Sequence, residues 1–159
     1  MSRYASETTV SPAKSRAEIE DILKRYGATG FMNGFNAEKA IIAFEARGRR
    51  IKFVLPLPAF ASFKSYTRKG SHWATQRTEA QQRAAFEQAE RQVWRALALC
   101  IKAKLESVES GIESFEEAFM AHIVLPNGQT MADHALPLIA RSYEDNTMPP
   151  LLGYDGRTQ

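Results

Sequence analysis

The amino-acid sequence predicts an α+β domain: an N-terminal helix, a small antiparallel sheet (a β-hairpin plus one or two further strands), a long central helix, and a C-terminal strand and helix. Two segments place apolar residues at helical spacing, and a segment between them has the alternation of a strand. The composition, with 44% hydrophobic and 25% charged residues among 159, is that of an ordinary globular domain. We expect a single domain over residues 13–145, preceded by a flexible arm (1–12) and followed by a tail (146–159) that packs on the body.

The first helix is predicted directly after the polar arm. The sequence SRAE at 15–18 fits a capping box, in which Ser15 accepts a hydrogen bond from a helix amide and Glu18 reaches back to the cap. Gly27 favours the left-handed conformation that ends many helices. The apolar positions between these two signals recur at helical spacing: Ile19, Ile22, Leu23 and Tyr26.

A β-hairpin is predicted over residues 39–46 and 50–58, around the turn sequence RGR at 47–49. Ile51, Phe53 and Leu55 occupy alternate positions, which predicts one buried face. The glycine-containing segment 29–36 before it is compatible with either a short strand or a loop. Residues 59–78 show neither helical nor strand periodicity, so we expect a mobile basic and aromatic loop there.

The long central helix is predicted from Thr78, a plausible cap, to about Ser110, with Gly111 as the stop. Spanning about thirty residues, it is on the order of 45 Å long at 1.5 Å per residue. Its apolar face consists of Phe86, Val93, Trp94, Leu97, Ile101 and Val108. Cys100 lies inside this helix, where a small buried thiol is expected.

The last third of the chain predicts a short helix over 112–120, a strand over 122–125, a turn at 126–128 and a helix over 135–143. Thr130 and Asp133 can cap that last helix, and Pro137 is expected in its first turn or at a kink. In the tail, Met148, Leu151 and Leu152 are expected to pack on the domain.

Charge is distributed very unevenly along the chain. Residues 1–104 carry nineteen Lys and Arg against nine Asp and Glu, a balance of 19 − 9 = +10, whereas residues 105–159 carry two against nine, or −7. Between positions 46 and 77 there are eight cations and no acid. Such asymmetry is typical of proteins with a polyanionic partner.

Aromatic residues stand among these cations, which is the combination that single-strand nucleic-acid binders use for phosphate contact and base stacking. Phe60 and Phe63 belong to this segment as further stacking candidates. A second basic surface is predicted on one flank of the long helix. The candidate nucleic-acid-binding residues are Arg47, Arg49, Arg50, Lys52, Lys64, Tyr66, Arg68, Lys69, Trp73, Arg77, Arg91, Arg95 and Lys102.

Two alternatives for the basic region remain open on the sequence. Duplex nucleic acid would be held by the arginines of the hairpin turn in a groove, or by the helix flank along a backbone. The basic loop could instead dock on the acidic C-terminal region of the same or a neighbouring subunit. The opposite charges of the two halves also favour self-association, either head-to-tail or two-fold.

Residues suited to catalysis are few. His122 and His134 bracket the turn at 126–128, with Asp133 nearby, but their spacing matches no compact metal-ligand pattern. Glycine patterns for phosphate or dinucleotide binding and the GxSxG motif are absent from the sequence. We therefore expect no enzyme activity, no cofactor and no metal.

The cysteine count and the hydropathy of the chain indicate the cellular compartment of the protein. One cysteine cannot form an internal disulfide, which favours a reducing cytoplasm. The N-terminal residues contain no apolar signal-peptide core, and the chain has no run of 18 apolar residues. Secretion and membrane insertion are not expected.

Several segments resemble a group of small proteins encoded by tailed phages and prophages. They are SRAEIEDILKRYGA at 15–28, residues 50–58, RQVWRALALCIKAKLESVESG at 91–111, IESFEEAF at 112–119, LPNG at 125–128 and MPPLL at 148–152. The resemblance implies a phage origin and the cytoplasm of a bacterial host, and it assigns no functional residue. Small phage proteins without enzyme motifs are commonly nucleic-acid handlers or inhibitors of host factors.

The sequence thus favours a non-catalytic nucleic-acid-binding protein with a preference for single-stranded DNA. The alternative is a protein-interaction module that binds or inhibits a host or phage protein through its acidic C-terminal half and its tail.

Overall fold

The N-terminal helix begins earlier than the sequence signals indicate. The computed structural model describes residues 5–70 and 72–148, and its first helix, α1, spans Pro12–Arg25. Ser11 caps it by accepting a hydrogen bond from the amide of Lys14, and Pro12 needs no partner in the first turn because it has no N–H. The capping box predicted at Ser15 is therefore wrong, since Ser15 is a buried residue inside the helix. Gly27 ends the element as predicted, with φ of +80°.

Three antiparallel strands form the central sheet in the order β1-β2-β3: β1 (Gly30–Phe35), β2 (Lys39–Ala46) and β3 (Arg49–Pro56). The predicted hairpin is confirmed. Its two turn residues, Arg47 and Gly48, have φ of +50° and +72°, as a tight two-residue hairpin turn requires. The undecided segment 29–36 supplies a strand, whose Phe31 pairs with Phe44 of β2.

The long helix α2 spans Glu79–Glu109 and is also confirmed. Thr78 and Gln81 form a capping box at its start, and Gly111 follows its end with φ of +69°. The core lies between the sheet and the two helices. It consists of alternate residues of the strands and of one face each of α1 and α2. Its fully buried large side chains are Ile19, Leu23, Ile42, Phe44, Ile51, Ile101 and Phe119.

Cys100 is exposed, so the expectation of a buried thiol was wrong. The core face of α2 is centred on Trp94, Leu97 and Ile101. At 100° per residue, position 100 falls about 100° or more from the centre of that face.

The C-terminal elements begin with a helix shorter than predicted, α3 (Phe115–Phe119), because Ser114 and Glu117 form a capping box that sets its start. The predicted strand at 122–125 is reduced to two isolated bridges, Ile51 with Ile123 and Val124 with Thr130. The amide of Val124 donates to the carbonyl of Arg50 at 2.8 Å. This segment therefore covers the outer edge of β3 near Arg50 and Ile51.

The last helix, α4 (Met131–Asp145), is longer than predicted but capped as predicted, since Thr130 and Asp133 form its capping box. Pro137 lies inside the helix and beyond its first turn, which leaves a kink as the other alternative that the sequence offered. After the helix, Met148 is 89% exposed, while Leu151 and Leu152 lie outside the described residues. At the other terminus, Gln88 of α2 donates to the carbonyl of Ser6 and anchors the described part of the arm.

Candidate nucleic-acid interface

The segment expected to be a mobile loop has a structure of its own. A 3₁₀ turn (Phe60–Phe63) leads into two short antiparallel strands, β4 (Ser65–Thr67) and β5 (Ala74–Gln76). Strands of three residues carry too few alternating positions for a period-2 signal, which is why the sequence did not reveal them. We call residues 64–76 the basic hairpin.

Arg77 holds the base of the basic hairpin closed. Its Nη1 donates to the carbonyl oxygens of Phe63 and Ser65, at 3.2 and 3.0 Å, and its backbone amide donates to Lys64 at 2.8 Å. Its guanidinium carbon also lies 4.7 Å from the ring centroid of Tyr66, a cation–π distance. These contacts assign Arg77 a positioning role within the hairpin.

Two of the aromatic residues considered for base stacking anchor the hairpin to α2. The rings of Phe60 and Phe63 meet that of Phe86 edge-to-face, with centroids 5.5 and 6.1 Å apart. Gln82, which is buried, donates from Nε2 to the carbonyl of Phe60 at 2.9 Å. Both phenylalanines are thereby engaged with α2.

The aromatic and basic side chains of the hairpin are exposed to solvent. Trp73 is 83% exposed and Tyr66 is 43% exposed. Lys64, Arg68 and Lys69 are exposed as well, and within the described residues no carboxylate lies within 4 Å of their side-chain nitrogen atoms. The basic hairpin thus combines cations that can reach phosphates with the exposed ring of Trp73 and the partly exposed ring of Tyr66, which Arg77 contacts.

The three arginines at the β2–β3 turn differ from the basic hairpin, because each contacts another part of the protein. These contacts are Arg47 over the ring of Phe115 at 5.8 Å, Arg49 Nε with Glu116 Oε1 at 3.6 Å, and Arg50 Nη2 with Glu45 Oε1 at 3.2 Å. The arginines stay largely exposed, but the neighbouring carboxylates offset part of their positive potential.

Lys52 and two cations on the flank of α2, Arg91 and Arg95, also contact other groups of the protein. Lys52 Nζ donates to the carbonyl of Gly128 at 3.2 Å. Arg91 donates to Gln88 Oε1 on its own helix. Arg95 forms an ion pair with Glu18 that joins α2 to α1. Lys102 is exposed and lies close to this flank.

His122 and Asp133 have structural surroundings. His122 stacks on Phe53 with ring centroids 3.9 Å apart, and burial together with the positive charge of Lys104 lowers its pKa. Asp133 accepts a hydrogen bond from the amide of Thr130, which lowers the pKa of its carboxyl. Across the described residues, no cluster of three or more His, Cys, Asp or Glu side chains is arranged to hold a metal ion.

Comparison with known proteins finds no match. No family model, no curated protein and no solved structure is similar to this chain. The resemblance to phage proteins therefore stays a prediction. None of the helices in the described ranges 5–70 and 72–148 is long and apolar enough to cross a membrane.

Two surfaces were not anticipated from the sequence. One is the solvent side of α4, where Leu136, Ile139 and Tyr143 are exposed by 61%, 41% and 87%. Their spacing of three and four residues was visible, but it predicts an apolar face without indicating whether that face is covered. The other is the outer edge of β1, with Met32 and Phe35 exposed by 61% and 72%.

Proposed function

We propose that the protein binds single-stranded nucleic acid, DNA above all, through the basic hairpin. The observation that carries the proposal is the composition of that exposed hairpin. Lys64, Arg68 and Lys69 stand beside Tyr66 and Trp73 without a described carboxylate at ion-pair distance. Cations supply sequence-independent contacts to phosphates, and exposed rings stack on unpaired bases.

A single strand fits this surface better than a duplex. The indole ring of Trp73, 83% exposed, can stack only on a base that is itself unstacked. Groove insertion would fall to the β2–β3 turn, where Arg49 and Arg50 are paired with carboxylates of the same chain. Those pairs would have to break before the arginines could contact bases.

We place this activity in the bacterial cytoplasm and propose no catalytic step. The carboxylates whose pKa values are lowered, Asp133 and Glu117, accept hydrogen bonds at helix caps. His122 is half-buried against an aromatic ring. These groups therefore have a structural use in the fold.

The test is fluorescence anisotropy with labelled single-stranded and duplex DNA and RNA oligomers. Trp73→Ala should weaken single-strand binding roughly 5- to 150-fold, the equivalent of one lost stacking contact. Tyr143→Ala is a matched control, because it also removes an exposed aromatic ring without changing the net charge, but on α4 and outside the basic hairpin. Equal affinity of wild type and Trp73→Ala, or a preference for duplex, would contradict the proposal.

A protein-interaction module is the second candidate, and the exposed apolar residues of α4 favour it. Leu136, Ile139 and Tyr143 lie on one side of the helix, which also carries the acidic residues Glu144 and Asp145 near its C-terminus. Such a surface fits an amphipathic helix with a basic flank in a host or phage protein. Loss of a captured partner in Leu136→Ser with Tyr143→Ser, while Trp73→Ala retains that partner, would support this candidate.

A further inference from the structure

The two edges of the central sheet differ. The edge of β3 is covered near Ile51 by the segment that bridges this residue to Ile123. Within the described residues, no strand pairs with the outer edge of β1, whose sequence GFMNGF contains no charged residue and no proline. Natural sheets usually protect such an edge with charge, proline or a covering segment. An uncharged edge with Phe35 72% exposed is therefore suited to pairing with another strand.

The hydrogen-bond pattern identifies which residues of β1 can accept that strand. The amide of Asn36 donates to the carbonyl of Lys39 at 2.9 Å, so the N–H of Asn36 points to β2 across the β1–β2 hairpin. Because hydrogen-bonded and non-hydrogen-bonded pairs alternate, every second residue back along β1 also bonds to β2. The intervening residues, Phe31, Asn33 and Phe35, direct their N–H and C=O groups to the open edge.

These three residues form a palindrome, F-x-N-x-F. An antiparallel second copy with the two-fold axis at Asn33 would place Phe31 opposite Phe35 and Asn33 opposite Asn33. On the other face of the strand it would place Met32 opposite Gly34, where the space beside the glycine is open. Slipping the register by two residues would pair phenylalanine with asparagine instead. The strand is thus complementary to itself in one register.

We propose that two copies of the chain associate through β1 around a two-fold axis at Asn33, which joins their sheets into one antiparallel sheet of six strands. Phe31 packs partly against the core, and Phe35 is 72% exposed, so the pairing would cover the exposed ring of Phe35 with Phe31 of the second copy. Cross-strand aromatic pairs of this kind stabilise antiparallel sheets. The proposal does not depend on the nucleic-acid function.

Sedimentation equilibrium of the full-length protein tests this association. Asn33→Pro removes an N–H that points to the partner, and by symmetry two intermolecular hydrogen bonds disappear, while the bonds to β2 are kept. The dimer dissociation constant should rise roughly 30-fold. Asn33→Thr, which keeps the N–H, is the matched control and should stay within about threefold of wild type.

Cysteine cross-linking provides a second measurement that does not depend on how well the proline variant folds. Across a hydrogen-bonded antiparallel pair the Cα atoms are about 5.5 Å apart, within disulfide reach. In a Cys100→Ser background, Asn33→Cys should therefore form a disulfide dimer on mild oxidation. Glu38→Cys, also at an exposed position but in the β1–β2 turn and away from the axis, should not.

The outcomes separate clearly. The proposal would be overturned if the wild type were a monomer at concentrations approaching millimolar, or if the two cysteine variants cross-linked equally. The edge of β1 would then be expected to pair with an extended peptide of another protein. A wild-type dimer that Asn33→Pro dissociates and Asn33→Cys traps would support it. Anisotropy on Asn33→Thr and Trp73→Ala reports on DNA binding separately, so failure of either proposal can be distinguished from failure of the other.

Discussion

The salt dependence of single-strand binding should reveal how many cations contact phosphates. Each neutralised phosphate releases counterions, so the logarithm of the binding constant falls with the logarithm of salt concentration by about 0.7 per contact on a single strand. The structure leaves three hairpin cations without a described carboxylate partner: Lys64, Arg68 and Lys69.

Three contacts give an expected slope of about −2, because 3 × 0.7 is about 2. If all eleven candidate cations from the sequence contacted phosphates together, the slope would be about −8. The difference arises because Arg49, Arg50 and Arg95 are paired with carboxylates, and Arg77 donates to backbone carbonyls. The two values are far enough apart to be distinguished by one titration series.

The assay is anisotropy of a labelled single-stranded oligomer across a salt series, at fixed pH. Lys69→Gln should reduce the magnitude of the slope by about 0.7, whereas Arg95→Gln should leave it unchanged. A wild-type slope steeper than about −5 would refute the assignment to the hairpin, since cations now paired with Glu18, Glu45 or Glu116 would then have to reach phosphates.

Three further predictions concern the fold. Phe119→Ala should lower the free energy of unfolding by about 3–5 kcal/mol in urea denaturation, because the ring is fully buried, whereas Tyr143→Ala, at an 87% exposed site, should change it little. A double-mutant cycle between Arg95 and Glu18 should give a coupling of about 1 kcal/mol, and a coupling of zero would show that the pair does not join the helices. Asp133→Asn should destabilise the protein at neutral pH. The lowered pKa of Asp133 means that its contribution is present above the ordinary value of 3.8 and is lost as pH falls through the lower folded pKa, so thermal unfolding of wild type and variant should converge in acid.

The sequence predicted the elements whose signals are local. Thr78 and Thr130 were identified as caps, and Gly27 and Gly111 as stops, because capping depends on side chains within one helical turn of the boundary. The hairpin turn after Ala46 was found for the same reason. The start of α1 was predicted wrongly because two sequence patterns fit a helix cap. The pattern at 15–18 was chosen, whereas the helix is capped by Ser11, which precedes a proline.

The sequence predicted which residue types form the candidate site, but not which of those residues lie together in space. Thirteen residues were grouped because they are basic or aromatic and either lie between positions 47 and 77 or share one flank of the predicted long helix. The structure keeps Lys64, Arg68, Lys69 and Trp73 exposed on one short hairpin. Other candidate cations contact carboxylates or carbonyls of elements distant in sequence. Arg95, for example, forms an ion pair with Glu18 of α1.

The sequence by itself determined the fold class, the long helix and the excess of positive charge in the first 104 residues, because periodicity, capping and charge are properties of neighbouring residues. Only the tertiary structure decided which cations are neutralised, which apolar faces stay uncovered, and that β1 forms an open edge. These outcomes depend on contacts between residues far apart in the chain, such as Ile51 with Ile123 on the opposite edge of the sheet. Hydrogen bonds and ion pairs across that separation are fixed by packing, and no local pattern encodes them.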